Sequence, residues 1–153
     1  MCTGEDIYLK ESFRPLIEQG GVSVIHPDIL TCGGALELKK IADMADDHGV
    51  AVAVHMAESP VGCLAAVQTA AAMNHVLALE FHSVDVPWWG DMVTGIPKPL
   101  FQNGFIQVPE KPGLGFDDLN EEVFREHIDP NIPGMWEPTD QWNQEFSNDR
   151  IWN

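Results

Sequence analysis

The sequence is short of cysteine and of basic residues, and each shortage excludes something. Its three cysteines, Cys2, Cys32 and Cys63, make no paired framework and no C-x-x-C. Neither a disulfide scaffold nor a zinc ribbon is expected, and a reducing compartment suits such thiols. Eight Lys and Arg stand against 24 Asp and Glu, a formal charge of −16 at pH 7. That field repels a phosphate backbone, so no nucleic-acid partner is expected and the surplus reads as a solvated acidic surface. The opening Met1-Cys2-Thr3-Gly4-Glu5-Asp6 has neither the basic nor the apolar region of a leader. The most apolar window, 61–73, is too short to cross a bilayer. A soluble, cytoplasmic protein without a membrane partner is the expectation. G-x-G-x-x-G, the P-loop and G-x-S-x-G are all missing, which disfavours dinucleotide binding, P-loop chemistry and serine hydrolysis. There are no internal repeats.

What is present is a rhythm. With 153 residues, 44% of them hydrophobic, the chain can bury the core of one ordinary domain. Apolar residues recur at helical spacing over 9–19, where Pro15 allows a kink and Gly20-Gly21 ends the run. A β-branched strand follows at 22–25. Next comes a helix over 35–48 with a stripe of Leu38, Ile41, Ala42 and Ala45, stopped by Gly49. The pattern repeats as a strand at 50–54, a helix at 61–74 that is apolar nearly all round, and a strand at 76–79. Alternation of this kind predicts a parallel α/β sheet with right-handed crossovers. From Phe81 the rhythm stops. Asn103-Gly104 between apolar runs predicts a hairpin, and a short helix at 119–127 is expected with Asp117 or Asp118 as its cap. The stretch 128–153 reads as irregular, its Trp136, Trp142 and Trp152 packed on something.

Two residues able to handle protons close successive strands: Asp28 after the first and His55 after the second. The carboxyl ends of parallel strands open on one rim. An imidazole is a base suited to neutral pH, and a carboxylate fixes its tautomer. The blander alternative is an Asp that caps its loop and a His satisfied by backbone. Glu5 and Glu80 also sit at such ends, where a carboxylate can ligate Mg²⁺, hold a substrate group, or simply be solvated. His26, His48, His75, His82 and His127 show no ligand spacing and read as structural or surface residues.

Taken in order, Thr3-Gly4-Glu5, Pro27-Asp28, Gly33-Gly34, His55, Leu79-Glu80 and Pro112-Gly113-Leu114-Gly115 resemble the carboxyl-terminal part of the enolase superfamily. The likeness is closest to its mandelate racemase subgroup and the acid-sugar dehydratases. The resemblance implies an α/β fold, the carboxyl-terminal portion of a (β/α)8 TIM-type barrel with strands six to eight and their helices, plus a hairpin and irregular tail. It divides the chain into a partial barrel at 1–80 and an extension at 81–153 packing on the barrel or a capping region. It assigns His55 as general base, Asp28 as its orienting partner, Glu80 as the carboxyl that binds the substrate carboxylate or enolate, and Glu5 as one ligand of Mg²⁺. The implied chemistry is removal of a proton α to a carboxylate, with the metal stabilising the enediolate. Loss of a β-hydroxyl then makes a sugar-acid dehydratase (an aldonate or aldarate hydro-lyase), whereas return of the proton makes a racemase or epimerase. A catalytically silent half-barrel that pairs with another chain is the third reading. Such a barrel needs about 250 residues, and the other two metal carboxylates fall on strands before Glu5. This chain alone is therefore expected to hold Mg²⁺ poorly and turn over little, and to occur as a homo-oligomer or beside a missing amino-terminal half.

Overall fold

The computed structural model describes residues 1–131 and 134–135. Four strands, β1 (Cys2–Thr3), β2 (Val24–Ile25), β3 (Ala51–Val54) and β4 (Val76–Leu79), form one parallel sheet in the order β1-β2-β3-β4. Helices α1 (Leu9–Glu18), α2 (Ala35–Asp47) and α3 (Pro60–Ala70) make the crossovers. The expected alternation is therefore present with trimmed ends, and it gains β1, a strand too short to leave a periodic trace in the sequence. The helix at α1 runs through Pro15 unbroken. β1 and β4 are the two edges of the sheet, consistent with part of a barrel wall.

Strand alternation decides which side is packed. Val52 and Val54 of β3 and Ile25 of β2 turn to the helices, where they join Phe13 and Ile17 of α1, Leu38, Ile41 and Ala45 of α2, and Ala66 of α3. Ala51 and Ala53 face the other side and are only half-buried. At the β4 edge Leu77 is exposed. A second cluster explains why α3 is apolar nearly all round: Cys63, Leu64 and Val67 pack with Met56, Trp89 and Leu100, while Ala66 serves the first cluster. The helix lies between two apolar bodies.

Beyond β4 the chain makes two 3₁₀ turns, Ser83–Asp85 and Trp89–Asp91. The hairpin of β5 (Phe101–Gln102) and β6 (Phe105–Ile106) follows. Asn103 and Gly104 both have positive φ, 52° and 82°, as the tight turn between twisted strands requires. The last helix, α4 (Glu121–His127), starts later than expected and its N-cap is Asn120, with no side-chain cap. Asp117 and Asp118 are not the cap because their backbones pair with Thr94, and Asp117 meets Lys111. Trp136, Trp142, Trp152 and most of the stretch expected to be irregular lie outside the described residues.

Candidate active site

The backbone ladder of the sheet carries on past the strand ends, and this builds the rim. The amide of His26 donates to Thr3 at 2.9 Å, that of His55 to Pro27 at 3.0 Å, and that of Glu80 to Val54 at 2.9 Å. Asp28 and His55 form a parallel bridge of their own. Thr31 Oγ1 donates to the Glu5 carbonyl at 3.0 Å, tying the loop after β1 to the loop after β2. Glu5 is preceded by Gly4 for a steric reason. At φ +137°, a Cβ there would lie 2.8 Å from Phe13 Cε1 and 3.2 Å from the His26 amide nitrogen.

Asp28 is 1% exposed. Its Oδ1 accepts the amides of Leu30 and Thr31 at 2.6 and 3.2 Å, and its Oδ2 meets His55 Nδ1 at 2.6 Å. One side chain thus both caps its loop and holds the histidine, whose Nδ1 meets this carboxylate and not a backbone carbonyl. An ionised carboxylate can only accept, so Nδ1 carries a hydrogen, and in the neutral ring Nε2 keeps the lone pair. That nitrogen faces the rim, 3.5 Å from Glu5 Oε2 and 3.6 Å from Glu80 Oε2. The four residues singled out in the sequence are brought together around it.

The electrostatics follow from this packing. Burial alone would raise the Asp28 pKa, but hydrogen bonds with Glu58, His55 and the two amides outweigh it and hold the carboxyl below its usual range. Burial would likewise lower the His55 pKa. The Asp28 hydrogen bond and the charges of Asp28, Glu80 and Glu58 overcome that, so His55 sits above the ordinary imidazole value. At Glu80 burial is outweighed by hydrogen bonds from His82 and His26, and its pKa is lowered.

Three functional candidates were not visible in the sequence reading. His26 spans the site, with Nδ1 donating to the Ala53 carbonyl at 2.7 Å and Nε2 2.9 Å from Glu80 Oε2. His82 Nε2 takes the other oxygen of Glu80 at 2.6 Å. Two imidazoles therefore bracket one carboxylate. His26 also stands edge-on to the His55 ring, with centroids 5.2 Å apart. The signal that could have found them is period two: His26 is two residues from Asp28, and His82 two from Glu80, on the same face of extended chain. The third is Glu58, three residues beyond His55, with Oε1 3.9 Å from His55 Nδ1. An apolar cavity of about 400 Å³ between Trp88 and α4 shares no lining residue with this rim.

Two groups of side chains are close enough to gather on a metal ion: Glu5 with His26 and His55, and Asp28 with His55 and Glu58. In the second, the Asp28 to His55 hydrogen bond already occupies the donors. In the first, the Glu5 carboxylate is more than half exposed, and among the described residues its ionic neighbour is His55 alone. A free carboxylate at a rim is the hard oxygen donor Mg²⁺ takes, and it provides one of the several ligands needed. The fit to Mg²⁺ is good in kind and partial in number. Among the described residues no helix is long and apolar enough to cross a membrane.

Comparison with known proteins agrees with this geometry. Residues 1–123 match the family described as "Enolase C-terminal domain-like". The D-xylonate dehydratase of Haloferax volcanii is 45% identical over 115 residues, covering 75% of this chain and 27% of that protein. A D-galactonate dehydratase of Variovorax paradoxus is 32% identical over 142 residues, covering 90% of the chain and 37% of the relative. Among solved structures, a mandelate racemase/muconate lactonizing enzyme-like protein from Rubrobacter xylanophilus superposes with a TM-score of 0.81 at 38% identity. It covers 87% of this chain and 34% of that one. The chain thus spans roughly a third of the length of the relatives it matches. With its rim, its parallel half-sheet and these likenesses, the chain belongs to the enolase superfamily, in the acid-sugar dehydratase branch of the mandelate racemase/muconate lactonizing enzyme-like group, and is matched in the carboxyl-terminal domain.

Proposed function

We propose that the chain contributes the base-bearing side of a Mg²⁺-dependent sugar-acid dehydratase acting on an aldonate or aldarate. The observation that carries this reading is the orientation of His55, with Nδ1–H given to a buried Asp28 and Nε2 left free at the rim. In this role His55 Nε2 removes the proton α to the substrate carboxylate. Asp28 keeps the ring in that tautomer and stabilises the imidazolium as it forms. Glu5 would hold the Mg²⁺ together with carboxylates from earlier strands, and bound there the ion supplies positive charge against the negative charge growing on the substrate carboxylate. Glu80 with its two histidines binds the same end of the substrate. Because Glu80 is held ionised it can only accept, so a hydrogen bond to a substrate oxygen would come from the His26 and His82 imidazoles that bracket it. The β-hydroxyl then leaves as water with the proton that His55 Nε2 took from the α-carbon, and the resulting enol relaxes to a 2-oxo acid. Relatives named for dehydration of D-xylonate, D-galactonate and L-rhamnonate favour loss of water over return of the proton.

Completion of the site needs further strands, and the two sheet edges at β1 and β4 are where they would pair. We read residues 1–80 as the barrel part and 81–153 as a carboxyl-terminal extension. A cytoplasmic setting is favoured by three unpaired thiols, two of them buried. The test is a chimera in which this chain replaces the matching segment of the Haloferax volcanii D-xylonate dehydratase, assayed for 2-oxo acid from a panel of aldonates and aldarates. Product should form with Mg²⁺ and should fall by at least about a hundredfold in the His55→Asn version. Equal turnover by the two chimeras would refute the assignment of the base.

A further inference from the structure

Four donor groups from the ends of four neighbouring strands meet at the rim: Glu5 after β1, His26 after β2, His55 after β3 and Glu80 after β4. His55 Nε2 lies 3.5 Å from Glu5 Oε2 and 3.6 Å from Glu80 Oε2. His26 Nε2 is 2.9 Å from that same Glu80 oxygen. Glu5, His26 and His55 also form a group whose ligand atoms all lie within 4.8 Å of one another. A tetrahedral ion with bonds of about 2.0–2.1 Å sets its ligand atoms about 3.3 Å apart. The rim spacings are close to that edge.

The outer sides of three of these groups are held as those of metal ligands are. His55 Nδ1 donates to Asp28 Oδ2 at 2.6 Å, and His26 Nδ1 to the Ala53 carbonyl at 2.7 Å. Glu80 Oε1 accepts from His82 Nε2 at 2.6 Å. A ligating imidazole almost always gives its other N–H to a carboxylate or a backbone carbonyl, and a ligating carboxylate is in turn hydrogen-bonded. These contacts turn both Nε2 atoms and Glu80 Oε2 towards one another and towards Glu5. The other side of the His55 ring, with Asp28 and Glu58, offers no such mouth, because the Nδ1 hydrogen is already engaged.

We propose that the rim is a four-ligand site for a divalent ion that prefers imidazole, Zn²⁺ or Co²⁺, made by Glu5, His26, His55 and Glu80, and that such an ion shuts the site down by taking the lone pair of His55. The shutdown rests on the reading of His55 as the base; the binding site does not. The hydrogen between His26 Nε2 and Glu80 Oε2 leaves to water as the ion enters. The donor set discriminates between ions by chemistry. Two imidazoles with carboxylates suit Zn²⁺, whereas Mg²⁺ takes oxygen ligands in an octahedron and keeps several waters. Glu5 is common to both, so the two ions compete. Mg²⁺ on Glu5 leaves His55 Nε2 open, and Zn²⁺ closes it.

The experiment is isothermal titration of the 153-residue chain with ZnCl₂ and, separately, MgCl₂, with His ¹⁵N spectra at each end point. One Zn²⁺ should bind and shift the Nε2 signals of His26 and His55, and Mg²⁺ should leave both in place. Loss of an outer partner of a ligand costs about 10–100-fold in metal affinity. His26→Gln loses a ligand and should weaken Zn²⁺ binding by at least about a hundredfold, while His75→Ala, at the separate pair with Asp46, should not change it. An unchanged affinity in His26→Gln overturns the proposal. If that variant does not fold, the wild-type spectra decide, and Zn²⁺-shifted signals from His75 or His48 in place of His26 and His55 overturn it equally. The shutdown is read in the Mg²⁺-loaded chimera, where added Zn²⁺ should stop 2-oxo acid formation; full turnover with Zn²⁺ bound overturns that half. Binding is read without turnover, so its failure is distinct from an active His55→Asn chimera, which would refute only the assignment of the base.

Discussion

Replacing Asp28 by Asn is the sharpest probe of the rim, because it keeps the shape and removes the charge. The Asn oxygen can still accept the Leu30 and Thr31 amides, which leaves its NH₂ facing His55 Nδ1, where Oδ2 stood at 2.6 Å. Two donors cannot share that contact. The imidazole must give up its Nδ1 hydrogen and move it to Nε2, the atom that faces Glu5 and Glu80. The energetic cost depends on pH in a defined direction. Asp28 has a lowered pKa, so its contribution is present above the unfolded value of about 3.9 and fades as pH falls through the folded one. His55 has a raised pKa, so its contribution is full below the unfolded value of about 6.5 and is lost as pH rises through the folded one. Both conditions hold around pH 5.5, and there the substitution should cost about 1.5–3 kcal/mol, the range for a hydrogen bond between charged partners. At a pH above the raised His55 value the imidazole is neutral in both proteins, while Glu58 is relieved of its charged neighbour only in the variant. The difference should therefore shrink to near zero or reverse. Urea denaturation at the two pH values measures it, and ¹⁵N shifts at the higher pH report the tautomer. A penalty that is the same at both pH values, with Nδ1–H retained, would mean that Asp28 is a loop cap and nothing more.

Two further outcomes follow from the same geometry. His26→Ala removes one of the two imidazoles that bracket Glu80, so the Glu80 pKa should rise towards the ordinary carboxylate value and stability near neutral pH should drop by about 1–2 kcal/mol; a Glu80 ¹³Cδ titration unmoved by the substitution would show the contact to be incidental. Of the three thiols, Cys32 and Cys63 are buried and pushed up to about 12 by burial, whereas Cys2 is exposed. A thiol reagent near neutral pH should therefore take one equivalent from the native chain and three in denaturant, and rapid labelling of all three without denaturant would contradict the packing around α3.

The parts of this molecule that could be read in the sequence are those in which one pattern dominates. The helix stripe of Leu38, Ile41 and Ala45 and the β-branched run ending at Val54 are both buried as their periods demand. Asn103-Gly104 forms its hairpin because only a pair tolerating positive φ at both positions closes that turn. Asp28 and His55 could be paired because parallel strands bring their ends to one rim. What escaped notice was short or relational. β1 has two residues and no periodicity to show. The α4 cap moved to Asn120 because the backbone at Asp117 and Asp118 was taken by Thr94, a contact made across a loop. His26, His82 and Glu58 matter only through what they touch, and a residue's partner 54 positions away, as Glu80 is for His26, leaves no mark in the local pattern.

The rim also poses a charge problem, and its solution points to where a cation belongs. Glu5, Asp28, Glu58 and Glu80 converge on a site proposed to bind an organic acid, in a chain of net charge −16. Four free carboxylates there would repel the substrate anion and one another. Three of them have partners within this chain: Asp28 accepts from His55 and two amides, Glu80 is hydrogen-bonded by His26 and His82, and Glu58 is pushed up to about 7 and keeps its proton below that pH. Glu5 is left with an imidazole edge at 3.5 Å, and that nitrogen is the one needed as a lone pair. An imidazolium cannot both neutralise Glu5 and act as a base. On the proposed reading, the negative charge left on Glu5 is the one a divalent cation would balance, since the oxygen of an exposed carboxylate at the mouth of a parallel sheet is suited to such an ion.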